Sequence, residues 1–115
     1  MKYPIELDNL LSRTEDNHQR IVSFAFLCLG IIESLSKGTI NASDAIRIFF
    51  HAENCRFVRM VLRQESADEI MGHGVQLSDL SDILSPEEAQ REFARELESM
   101  QAHCLNLLET ERMAA

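Results

Sequence analysis

The stretch IVSFAFLCLGII, Ile21–Ile32, decides how this chain folds. Only Ser23 and Gly30 interrupt its apolar character, in a protein of formal net charge −8. A bilayer, a partner or the protein's own interior can each accept such a segment. A membrane-spanning helix needs about 20 apolar residues, or about 30 Å. Twelve residues cover about 18 Å at 1.5 Å per residue. The preceding RTEDNHQR, Arg13–Arg20, mixes both signs of charge, and no small-residue cleavage pattern follows. Neither a membrane span nor a signal peptide is expected. A helix apolar all round belongs inside a bundle. The expectation is a central buried helix over about 16–37. Gly38 then fits the position after its end, where a left-handed backbone suits glycine.

Working outward, helix signals recur on both sides. YPIELDNLLSR, with Pro4 near a helix start, reads as a short helix. INASDAIRIFF restarts one at Asn41, with Asp44 supporting the first turn. ENCRFVRMVLR offers Phe57, Val58, Val61 and Leu62 as a buried face. Ser66 and Glu69 have capping-box spacing, and the GHG at Gly72–Gly74 reads as the stop of that helix. LSDLSDIL adds a turn or two. The strongest boundary is SPEEAQ: Ser85 caps, Pro86 takes the first helical position and Glu88 completes the box. From there Ala89, Phe93, Leu97, Met100, Cys104 and Leu108 recur at helical spacing. This predicts a long C-terminal helix over about 86–112.

The chain of 115 residues reads as one domain, 1–115, with a core that needs no staples. At 45% apolar and 26% charged residues it is globular in composition. Four glycines, two prolines and no alternating β-branched runs leave an all-α fold of five to six helices. Three cysteines, Cys28, Cys55 and Cys104, are expected as reduced thiols of a cytoplasmic protein.

One block carries more than helix character. Leu29-Gly30, Glu33-Ser34-Leu35, Gly38, Ile40, Asp44-Ala45 and Phe49-Phe50 resemble a pattern in a small all-helical bacterial family of unknown function. GHGVQLSDLSDIL, Gly72–Leu84, resembles that family's Gly-x-x-Leu-x-Asp turn. The match spans roughly Leu29–Leu84 and implies a fold, not a reaction, so no functional residues carry over. By class rather than by motif, the chain is also similar to the immunity proteins of bacterial toxin–immunity pairs.

Catalytic chemistry finds little support. His51 and Cys55, four apart, give two metal ligands of the four a structural zinc needs, and adjacent His103 and Cys104 diverge on a helix. No metal or cofactor is expected. No nucleophile sits in a recognisable context, and no phosphate-binding loop is present. The expectation is a protein that is not an enzyme. Arg56, Arg59 and Arg63 form a basic ridge, read as pairing internally with the acidic C-terminal half. The overall acidity argues against direct nucleic-acid binding.

Charge is the most informative feature. Residues 21–63 carry a net +2, whereas residues 64–115 hold three basic and twelve acidic groups, a net of −9. Asp68, Glu69, Asp79, Asp82, Glu88, Glu92 and Glu96 are the candidate partner-binding residues. A surface of one sign steers an oppositely charged partner. The sequence therefore points to a cytoplasmic binding protein for a basic protein partner. Its most concrete form is an immunity protein that neutralises a toxin nuclease domain. The alternative is a helical regulatory or scaffolding protein with another protein partner, including a copy of itself.

Overall fold

The computed structural model describes residues 4–14 and 16–114. Every element among them is helical: α1 Leu7–Leu11, α2 Asn17–Ser36, α3 Ala42–Ile48, α4 Ala52–Phe57, α5 Glu65–Gln76, α6 Leu80–Ile83 and α7 Pro86–Ala114. A π-helical turn, Val58–Leu62, prolongs α4, and a 3₁₀ turn, Leu77–Asp79, joins α5 to α6. Counted as continuous rods these make six helices, the all-α fold expected.

Local chemistry sets most boundaries. The Asp16 carboxylate accepts the His18 backbone N–H at 3.0 Å and opens α2. Gly38, at φ +75, follows its end in the left-handed conformation. Asn41 and Asp44 form a reciprocal capping box at 2.8 and 3.2 Å. Those bonds to Asn41, and then the Arg47 guanidinium, hold the Asp44 carboxyl below its ordinary range. Ser85 Oγ accepts the Glu88 N–H at 3.3 Å and donates to the Glu88 carboxylate at 2.8 Å.

Helix α7, about 43 Å long, lies along α2 and α5. Its buried positions are Leu97, Met100, Cys104, Leu107 and Glu111. Ala89, Phe93 and Leu108 of the expected stripe are only half-buried. The reason is geometric. At 3.6 residues per turn a straight seam alternates steps of three and four, so the stripe moves to Leu107 instead of Leu108. Across the seam, α2 contributes Ile21, Phe24, Cys28, Ile31 and Leu35. The Cys28 and Cys104 thiols meet there, both fully buried. Burial, then hydrogen bonding with Cys104, raises the Cys28 thiol well above its ordinary pKa.

The burial of α2 is one-sided. The helix packs on α7, α3 and the π turn, while Ser23, Phe26 and Gly30 face outward, Phe26 being 61% exposed. At 20 residues α2 is long and apolar enough to cross a membrane by length and composition. The twelve-residue run alone understates it. In this fold its inner face is core.

Three local readings are corrected. The GHG sequence does not stop a helix, because α5 runs through it to Gln76. Gly74 is buried against Phe50, whose ring a Cβ would overlap, so glycine here serves packing. Ser66 and Glu69 form no capping box. Ser66 instead accepts from Asn106 Nδ2 at 3.1 Å, and Gln64 occupies the cap position. Pro4 precedes α1 rather than starting it. The N-terminal segment is held by buried Asn54. Its Nδ2 donates to Ile5 and Phe49 carbonyls, both at 2.8 Å, and its Oδ1 accepts the Leu7 N–H at 3.0 Å.

Two outcomes test this packing. In urea unfolding, Gly74→Ala should cost about 1–3 kcal/mol by overpacking. Gly30→Ala, where nothing lies within 4 Å of the new methyl, should gain up to about 1 kcal/mol of helix propensity. A neutral Gly74→Ala would restore the helix-stop reading. Separately, Cys28 and Cys104 should resist alkylation in the folded protein, and half-buried Cys55 should react first. Fast labelling of Cys28 or Cys104 would contradict the seam.

Candidate functional site

The acidic groups of the C-terminal half fall into two sets. One set is consumed in tying helices together. Helices α5 and α7 run antiparallel, so Glu69 reaches His103 at 2.9 Å and His73 reaches Glu96. Between the two pairs the His73 and His103 rings stack, 6.1 Å between centroids and 25° between planes. In each pair an imidazole N–H donates to the carboxylate. A third pair, His18 with Glu111 at 2.7 Å, ties the start of α2 to the end of α7 and satisfies a buried carboxylate. Glu69 and Glu96 are thus part of the α5–α7 seam.

The second set surrounds a cleft. Leu80, Ile83 and Leu84 face Glu88, Arg91 and Glu92 across a hollow of about 410 Å³. Ile83 is 77% exposed, the equal of any large apolar side chain among the described residues. Asp79 and Asp82 are exposed on the same short rod. Glu88 keeps one contact, with Ser85, and Glu92 pairs with Arg95 at 3.1 Å on the solvent side. The cleft exists because α7 outruns α2. On the Glu88–Glu92 side the first two turns of α7 have the short Leu77–Ile83 rod as neighbour, which does not cover them, while Ala42 of α3 and Leu29 and Ile32 of α2 flank Ala89 and Phe93. A neighbouring hollow of about 360 Å³, floored by Leu77, Leu80, Ala89 and Phe93, continues the same uncovered zone.

The seven candidate residues therefore do not form one surface. Asp79, Asp82, Glu88 and Glu92 gather at the α6–α7 end. Asp68 and Glu69 lie on the first turns of α5, some ten residues or about 15 Å along the rod. Glu96 points into the seam.

The arginine ridge is also not as expected. Internal pairing would have put carboxylates beside Arg56, Arg59 and Arg63. Among the described residues, every ion pair involves other side chains. All three arginines are exposed, and Met60, 57% exposed, stands among them. The ridge spans the end of α4 and the π turn. Its i→i+5 bond, Arg63 N–H to the Val58 carbonyl at 3.1 Å, widens the helix before Arg63 ends it at φ 54. Glu69 is spent on His103 of α7, and Glu65 and Asp68 stay exposed on the first turns of α5.

His51 spends both ring nitrogens on backbone. Nδ1 accepts the Asn54 N–H at 3.4 Å, which leaves the proton on Nε2 to donate to the Ile5 carbonyl at 3.0 Å. Among the described residues no group of three or more His, Cys, Asp or Glu side chains is placed to hold a metal ion. The arrangement offers charged and apolar docking surfaces. Sequence reading missed Ile83, Met60 and the histidine pairing. Ile83 carries a faint signal, as the last apolar residue before the Ser85 cap on a rod too short to bury it.

The division of the carboxylates is testable. Glu96→Gln should lower stability by about 0.2–1 kcal/mol, the range for partly exposed pairs, and the loss should vanish in a His73→Ala background. Glu88→Gln and Glu92→Gln should leave stability nearly unchanged. Equal costs at all three positions would return Glu96 to the solvated row.

No curated protein and no solved structure matches the chain. One family model, described as protein of unknown function (DUF3969), matches residues 13–114. That span includes the block from Leu29 to Leu84, and by it the chain belongs to this uncharacterised family.

Proposed function

We propose that the protein is a non-enzymatic binding protein whose acidic α6–α7 cleft docks a basic protein domain. The observation that carries this reading is Ile83, left 77% exposed at the mouth of an apolar cleft that Glu88 and Glu92 line beside Arg91, with Asp79 and Asp82 exposed on the same short rod as Ile83. Carboxylates at a rim raise the rate of encounter with a basic surface. An exposed apolar centre supplies what charge alone does not, the burial that slows dissociation. The most specific form of the proposal is an immunity protein acting in a bacterial cytoplasm against a toxin nuclease. A nuclease active site is basic because it binds phosphates, and an acidic surface with an apolar centre competes for such a site.

The test uses the protein captured from the native host on the immobilised chain. Joint reversal of Asp79, Asp82, Glu88 and Glu92 to Lys should slow association about tenfold or more, the scale of electrostatic steering. Ile83→Asp should act on dissociation instead, by about tenfold or more for a central apolar contact. Asp68→Lys should change little. An association rate indifferent to the four reversals and to salt would overturn the acidic-cleft reading. A captured partner that cleaves RNA or DNA, inhibited by the wild-type chain, would support the immunity form. A captured partner without such activity would leave only the general binding role.

A further inference from the structure

In a chain with eight excess carboxylates, three neighbouring arginines pair with none of the described ones. Arg56, Arg59 and Arg63 form no ion pair with any described carboxylate, and Met60 stands exposed in their midst. Arg56 lies at the end of α4, Arg59 and Met60 on the π turn and Arg63 at its left-handed end, and all four are exposed. Arginine and methionine are among the side chains enriched in protein interfaces. The π turn that carries Arg59 and Met60 is a distortion frequent at functional sites. One surface of matching character is already described. The α6–α7 cleft is apolar at its centre, with Glu88 and Glu92 outnumbering Arg91 on its α7 wall, whereas the ridge is apolar at its centre and basic around it.

The two surfaces cannot meet within one molecule. Asn17 Nδ2 donates to the Leu62 carbonyl at 3.3 Å, so the ridge ends at the start of α2. His18 ties that start to Glu111, near the end of α7. The cleft uses Glu88 and Glu92, at the other end of the same helix. From Glu92 to Glu111 is 19 residues of helix, about 28 Å, in a molecule 45 Å long.

We propose that the ridge is a docking surface for a second copy of this chain. Met60 of one copy enters the Leu80–Ile83–Leu84 cleft of the other, and Arg56, Arg59 and Arg63 pair with the carboxylates at its rim. The net charge of −8 on each copy does not forbid this. Screening acts over about 8 Å at physiological ionic strength, so distant charges fade while contact pairs persist. The contact joins different patches, so it pairs copies head to tail, closing into a ring or running on as a string. The acceptor is the cleft of the preceding section, but the inference does not need the toxin partner. If both are right, self-association covers the cleft until a tighter partner displaces it.

Sedimentation of the full chain tests this. The wild type should associate with rising concentration in low salt and dissociate in high salt. Reversal of the ridge (Arg56→Glu, Arg59→Glu, Arg63→Glu) should weaken association about tenfold or more. So should reversal of the rim (Asp79→Lys, Asp82→Lys, Glu92→Lys). Circular dichroism verifies that each variant is folded. Mixed in equal amounts, the two variants should associate again, since each then offers what the other lacks. A wild type that stays monomeric at the highest attainable concentration in low salt overturns the proposal. So does a mixture that does not associate. An RNA or duplex DNA oligonucleotide bound through the ridge by a monomeric wild type would assign the ridge elsewhere. Ridge reversal that leaves partner association through the cleft intact separates this proposal from the preceding one.

Discussion

Helix α7 packs along α2 through a contact where two thiols, Cys28 and Cys104, stand in place of larger side chains. Small groups at the centre let the two longest helices approach closely, with Leu97, Met100 and Leu107 filling the seam on either side. This register fixes much of the rest. It brings Glu111 to His18 at one end. It presents Glu96 and His103 to α5, where the histidine pairs and their stacked rings close the second seam. It also carries the start of α7 past the end of α2, where α6 and its 3₁₀ turn leave the Glu88–Glu92 side uncovered. The cleft is therefore a consequence of unequal helix lengths.

Much of the fold is legible in the sequence wherever a boundary is set by neighbours along the chain. Asp16, Asn41 with Asp44, Gly38, and Ser85 with Pro86 and Glu88 all act over three or four residues. Each can be read without knowing what packs nearby. The failures share one cause, tertiary contacts overriding local preference. Gly72 and Gly74 disfavour a helix locally, yet α5 passes through them because only glycine fits against Phe50 at position 74. Ser66 and Glu69 spell a capping box, yet Asn106 and His103 claim both side chains across the α5–α7 seam. The π turn has no local signature that marks it in advance.

The candidate site is less legible for the same reason. Formal charge counts every carboxylate alike. Folding spends Glu69 and Glu96 on histidines, leaves Asp68 apart, and sets Glu88 and Glu92 beside Arg91 across the cleft from exposed Ile83, with Asp79 and Asp82 on the same rod as Ile83. Counting charge also favoured an internal partner for Arg56, Arg59 and Arg63 over a phosphate or a partner's carboxylates. Folding decides otherwise: Glu69 is spent on His103 across the α5–α7 seam, and Glu65 and Asp68 stay exposed on α5. The outcome is a molecule with two surfaces of opposite sign at opposite ends, each with an apolar centre, held apart by the stiffness of α7.

The central claim is that the cleft between α6 and α7 is where a partner docks. Amide hydrogen exchange of the protein with and without its captured partner addresses it most directly. The account predicts new protection concentrated in Leu77–Arg95, with little change along the outer face of α2. Protection confined to the Phe26 face, or to the Arg56–Arg63 ridge, with Leu77–Arg95 unchanged, would contradict it.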